Sequence, residues 1–171
     1  MFHTQVENGV TFLTSDTLSD ASLCHGFSTR LGGVSPAPWD SLNLDDRRGD
    51  PLDNVQENFR RLCAALGMDA ARAVLSRQVH RDDVRAVTAA DCGKGLWVPR
   101  DYDSADALIT NVPDIPLVVF SADCNVLLLH DPAGRAIGAV HAGWRGTAAG
   151  IAAKTVRAMT AAYGCDPADI R

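Results

Sequence analysis

The sequence predicts an α+β protein with a mixed β-sheet core flanked by helices. Two observations carry this. Between residues 106 and 143, four short apolar stretches follow one another: "DALIT", "PLVVFSADC", "VLLLHD" and "AIGAVHAG". Short apolar runs broken by turn residues are the pattern of a sheet. Only two stretches, 50–66 and 147–163, show the apolar spacing of an amphipathic helix. No internal repeat, low-complexity segment or linker divides the 171 residues, so one domain (1–171) with room for a real core is expected.

Taken in order, "ASLCHGFST" (21–29) reads as a strand running into "RLGGVSPAPWDSLNL". That Gly-, Pro- and Ser-rich loop has the length at which loops carry function. Asp50 reads as a helix N-cap and Pro51 as the first helical residue. Val55, Phe59, Leu62, Cys63 and Leu66 then share a face, and Gly67 supplies the stop. "AVLSRQVH" (73–80) is a strand candidate ending on His80, and residues 91–105 read as a loop. The four strands follow, the third joined to the fourth by the turn residues "DPAG". After "GWRGT" the period changes: Ile151, Thr155, Ala158, Met159 and Ala162 share a helical face that closes at Gly164.

Composition narrows the function classes. A net charge of −5 argues against a nucleic-acid partner, because neutralising phosphates needs a basic face. The N-terminus "MFHTQVENGV" lacks the basic start and apolar run of a secretory signal, and no apolar run approaches a membrane span. Five cysteines, at 24, 63, 92, 124 and 165, form an odd and scattered set without CxxC. Such a set suits reduced thiols in the cytoplasm better than a disulfide framework.

Three chemically active residues, His80, Cys124 and His141, each close or nearly close a strand candidate. Two imidazoles and a thiolate make a borderline-soft donor set suited to zinc, with a fourth position left for water or substrate. The residues alone leave a second reading standing: hydrogen-bonded histidines beside a buried thiol. Asp123 precedes Cys124, though alternation points it to the opposite face. "HAGWRGTAAG" places a helix start beside His141 and Arg145, where an anion such as phosphate is favoured. In the "STRLGGVSPAPWDSLNL" loop, Arg30, Ser35 and Asn43 are donors suited to phosphate or sugar oxygens, with Gly32 and Gly33 permitting close approach.

Together, "HGFSTRLGGVS", "SLNL", "NVQENFRRL", "QVH", "DALIT", "SADC" and "GAVHAGWRGTAAG" resemble the YfiH family, also called the laccase-domain or "polyphenol oxidase" family. The resemblance covers the chain from about residue 21 onward, in the family's order. It implies zinc bound by His80, Cys124 and His141 at an active site, with Arg30 and Arg145 as phosphate or substrate contacts. Val126 stands where many relatives have proline two residues after the cysteine. Relatives also continue beyond "CDPADIR" into a further strand with a "GPCIG"-like motif. The chain is therefore expected to lack a C-terminal part, and to self-associate or lose stability along the exposed edge.

What the resemblance implies is a zinc-dependent purine nucleoside phosphorylase. Adenosine or inosine, with methylthioadenosine as a further substrate, is cleaved by phosphate to free base and ribose 1-phosphate. Adenosine deamination is a side activity attributed to the family. One alternative makes Cys124 a nucleophile with His141 as its base, a cysteine hydrolase acting in peptidoglycan precursor editing. A copper polyphenol oxidase is the other; five histidines are too few for multicopper chemistry. A closed structural metal site would need a fourth ligand, for which His25 and His130 are the spare candidates.

Overall fold

A computed structural model describes residues 1–133 and 135–171. The chain resolves into two compact units, Met1–Ala70 and Ala71–Arg171.

The first unit opens with a hairpin. β1 (Phe2–Glu7) pairs antiparallel with β2 (Val10–Ser15) across the two-residue turn Asn8–Gly9. Both turn residues have positive φ, 50° and 79°, which is what a tight right-twisted hairpin demands and Asn-Gly provides. β2 also pairs with β3 (Phe27–Ser28), all that forms of the strand expected over 21–29. α1 (Leu52–Ala65) starts after Pro51. Asp50 does not cap it: its carboxylate accepts from the side chains of Ser35, Asn43 and Asn54. α1 ends as expected at Gly67 (φ 70°), where Gly67 N–H reaches Ala64 O and Met68 N–H reaches Cys63 O. This pair of bonds satisfies carbonyls that the helix end would otherwise orphan. Val10, Phe12, Leu42 and Ala65 form this unit's core, with Leu62 and Leu66 packed against it.

In the second unit, β4 (Val74–Leu75) pairs parallel with β7 (Leu117–Val118). A four-stranded mixed sheet holds β5 (Val84–Ala86), β6 (Ala107–Thr110), β8 (Asn125–His130) and β9 (Ile137–Ala142) in the order β5-β6-β9-β8. β5 and β6 are parallel; the other pairs are antiparallel. The "DPAG" turn expected between β8 and β9 includes Gly134, which lies outside the described residues; Asp131 N–H donates to Ala136 O at 3.0 Å.

The single helix expected over 147–163 is two: α2 (Trp144–Ala148) and α3 (Ile151–Tyr163). Gly150 separates them with φ 78°, a left-handed conformation that an α-helix cannot contain. α3 buries Ile151, Thr155 and Met159. Ile151 joins Ala107, Val140 and Ala142, while Met159 joins Ile109, Ala136 and Cys165. Leu108 points the other way, to Val74, Val87, Ala105 and Ile115. β6 is therefore buried on both faces, each large side chain contributing about 1.5–3 kcal/mol. What precedes β6 in sequence is correspondingly well fixed. No helix among the described residues is long and apolar enough to cross a membrane.

Candidate metal centre

His80, Cys124 and His141 lie on different segments of the second unit, and the structure brings them together. Their donor atoms all fall within 4.8 Å of one another. Cys124 Sγ is 3.9 Å from His80 Nε2, and the two imidazole rings meet edge to face with centroids 4.9 Å apart.

The segments carrying them are shorter in regular structure than the sequence indicates. Only Val74–Leu75 of the 73–80 candidate, and Leu117–Val118 of the 116–124 candidate, are strand. Beyond them a side chain takes over the pairing: Gln78 Nε2 donates to Phe120 O (2.9 Å), and Phe120 N–H donates to Gln78 Oε1 (2.6 Å). The run-up to His80 is thereby stitched to the run-up to Cys124. His80 then sits in a turn with φ 61°, and Cys124 immediately before β8. His141 lies inside β9, one residue from its end, and is buried.

Asp106, which the sequence reading passed over as the start of a strand, organises this centre. It is fully buried. Its carboxylate accepts from the N–H groups of Val79 (3.0 Å), His80 (3.0 Å) and Arg81 (3.2 Å), and from His141 Nδ1 (2.8 Å). A carboxylate only accepts, so His141 donates from Nδ1, and the neutral ring then carries its lone pair on Nε2. A histidine backed by a carboxylate in this way is the usual arrangement of a metal ligand. An Asp at the head of an apolar strand is the signal that could have found it, since buried carboxylates need partners.

Gly143 completes the cradle. A Cβ there would lie 2.9 Å from His80 Cδ2, 3.3 Å from His141 Cε1 and 3.5 Å from Cys124 Sγ. The three donors therefore surround a volume kept open by the missing side chain. Gly146 serves α2 likewise: a Cβ would stand 2.7 Å from the Arg81 carbonyl oxygen. The donor types, the backed imidazole and the open cradle all fit a metal ion. The Cys124 thiol is pushed up from its ordinary value by burial first, then by the adjacent Asp123 charge and hydrogen bond.

The remaining expected site residues behave differently. Arg145 is exposed on α2, its guanidinium 4.7 Å from the centroid of Trp144, which is itself exposed. α2 has only five residues, so the helix-start field expected beside it is small. In the first unit, Arg30 pairs with Asp40 through its carboxylate (2.9 Å) and backbone carbonyl. The Ser35 hydroxyl donates to Asp50 (2.6 Å), and the Asn43 amide donates to Asp50 (2.9 Å) and Asp45 O (3.1 Å). Ser35 and Asn43, expected to face phosphate, thus gather around the buried Asp50 carboxylate, while Arg30 pairs with Asp40 at the surface. Of the spare histidines, His25 Nε2 accepts from Ser15 N–H. His130 lies at the far end of β8, about 20 Å along the strand from Cys124. All five cysteines are free, and burial pushes the Cys63 and Cys165 thiols up to about 11.

Comparison with known proteins identifies the family. Residues 24–171 match the family described as multi-copper polyphenol oxidoreductase laccase. The chain is 38% identical over 170 residues to the purine nucleoside phosphorylase LACC1 of Mus musculus, covering 96% of this chain and 36% of that protein. It is 43% identical over 129 residues to the purine nucleoside phosphorylase YfiH of Escherichia coli, covering 75% of this chain and 49% of that protein. The crystal structure of YlmD from Geobacillus stearothermophilus superposes with a TM-score of 0.84 at 34% identity, covering 98% of this chain and 62% of that one. This chain thus spans between about a third and three fifths of the length of these relatives. By sequence match and shared fold, it belongs to the laccase-domain family of YfiH and YlmD.

Proposed function

We propose that this chain carries the metal centre of a zinc-dependent purine nucleoside phosphorylase, cleaving adenosine or inosine with phosphate to base and ribose 1-phosphate. The observation that carries the reading is the convergence of His80, Cys124 and His141 around the Gly143 cradle. Relatives named purine nucleoside phosphorylase support the reaction class. Zinc is favoured over copper by the donor set, since a blue-copper site adds a weak axial methionine and Met159 is buried in the α3 core.

His80 Nε2, His141 Nε2 and Cys124 Sγ would hold the ion. When bound, it supplies a Lewis acid able to polarise a substrate oxygen. The protein's own groups do the rest. Asp106 keeps the His141 ring oriented and its Nδ1 proton in place. Arg145, exposed two residues beyond Gly143, offers a forked donor to phosphate. Methylthioadenosine phosphorolysis and adenosine deamination belong to the same proposal as further activities, as does a reducing cytoplasmic setting for the five free thiols. The cysteine hydrolase reading is disfavoured because the relatives the chain matches are named purine nucleoside phosphorylase.

The test is an assay with and without phosphate. Free base should appear from adenosine or inosine only when phosphate is present, with ribose 1-phosphate as co-product. Arg145→Ala should weaken phosphate use by about 1.5–3 kcal/mol, the value of a charge-assisted hydrogen bond. Equal base release without phosphate would make the enzyme a hydrolase and end the proposal.

A further inference from the structure

We infer that Asp106 positions both histidines of the centre and selects the nitrogen that His141 offers to a metal ion; this rests on the metal-site reading above. Four donors converge on one carboxylate. Oδ1 accepts from His80 N–H and His141 Nδ1, and Oδ2 accepts from Val79 N–H and Arg81 N–H. Asp106 has no exposed surface, so water replaces none of these partners.

The consequence is chemical as well as steric. All four partners are donors, and only a group that accepts through both oxygens fits them. An amide of the same shape does not. With its oxygen toward His80 and His141, its NH2 opposes the amides of Val79 and Arg81. Turned over, its NH2 opposes His141 Nδ1, and the ring must carry its proton on Nε2. That second arrangement closes the lone pair an ion requires. Meanwhile three consecutive N–H groups on one carboxylate hold His80 at φ 61°, a region that residues other than glycine seldom occupy. Asp106 therefore fixes a tautomer on one ligand and a backbone conformation on the other. Its side-chain hydrogen bonds reach the two histidines and the amides flanking His80, and it acts through them.

Zinc alone is the probe, measured on the 171-residue chain by competition with a chromogenic chelator. Asp106→Asn should lower zinc affinity by about 10–100-fold, the range for loss of a partner behind a metal ligand. In the metal-free wild type, long-range 15N–1H spectra should place the His141 proton on Nδ1. That second measurement needs no variant, so an Asn protein that fails to fold leaves the inference testable. A His141 proton on Nε2, or an Asn variant that binds zinc as tightly as the wild type, overturns it. A wild type that binds zinc, loses it on Asp106→Asn and shows no phosphorolysis supports this inference while overturning the functional reading.

Discussion

Asp50 in the first unit and Asp106 in the second are both buried carboxylates that gather donors from distant parts of their unit. Their partners differ in kind. Asp50 takes side chains: Ser35, Asn43 and Asn54. Asn58 then bonds Ser35 Oγ and Asn43 O, while its own oxygen accepts from Val34 N–H. The circuit closes on itself and pins the 34–50 loop to α1. Asp106 takes three backbone N–H groups and one ring nitrogen, which orients side chains without consuming them. His80, Cys124 and the Nε2 of His141 remain facing a shared volume. A carboxylate that binds side chains builds structure; one that binds the backbone beneath them builds a site.

The contrast is broken most severely by removing a donor from the open centre. Cys124→Ala should reduce zinc from about one ion per chain and weaken affinity by more than about 100-fold, beyond the loss of an outer partner. Elemental analysis of the purified variant checks this, and full occupancy would contradict the ligand assignment. Copper in wild-type protein grown without added copper would restore the oxidase reading.

Filling the cradle should cost less. Gly143 has φ −63°, which alanine adopts freely, so Gly143→Ala strains the site rather than the backbone. Its Cβ would press on His80 Cδ2 at 2.9 Å. Zinc binding should weaken by about 1–3 kcal/mol, the usual cost of overpacking, with little change in the metal-free melting temperature. Unchanged zinc affinity would show that the ligands reach the ion without using that space.

The closed circuit should answer in stability. Asp50→Asn sets an NH2 among donors and should cost about 1–3 kcal/mol in urea unfolding. Burial alone would push the Asp50 carboxyl up, but hydrogen bonds from Ser35, Asn43 and Asn54 outweigh it and hold the group below the usual carboxylate range. A lowered folded pKa stabilises the protein above the unfolded value, and that stabilisation disappears as pH falls through the folded one. Unfolding on acidification should therefore be shallower in Asp50→Asn than in the wild type. Identical acid limbs would assign that pH dependence to other carboxylates.

Periodicity exposed what is regular and left hidden what side chains improvise. The α1 face, the Gly67 and Gly164 stops and the β6, β8 and β9 strands follow from apolar spacing and turn residues. The β1–β2 hairpin went unrecognised although "ENGV" carries its signal: Asn-Gly marks a tight turn, and Phe2, Thr4 and Val6 alternate with His3, Gln5 and Glu7 in β1. The 73–80 and 116–124 stretches look like long strands because they are apolar. Gln78 replaces their ladder with amide bonds that no period encodes. The three donors were legible as residue types suited to one ion. Ser35 and Asn43 read as donors toward an anion because a loop rich in donors looks the same whether it faces an anion or a buried Asp50, to which both donate here. Asp106 went unnoticed because its partners are mostly backbone, which has no letter in the sequence.

The bonds that Asp106 makes also govern motion. Val79, His80 and Arg81 lie outside regular secondary structure, in a stretch that would ordinarily open and close as freely as any surface turn. Their amides are instead tied to the residue leading into β6, the strand buried on both faces. They can release only when that end of the sheet releases, so the turn belongs to the sheet's cooperative unit. An arriving ion then meets a histidine whose backbone is already ordered, and little conformational freedom is left to lose on binding.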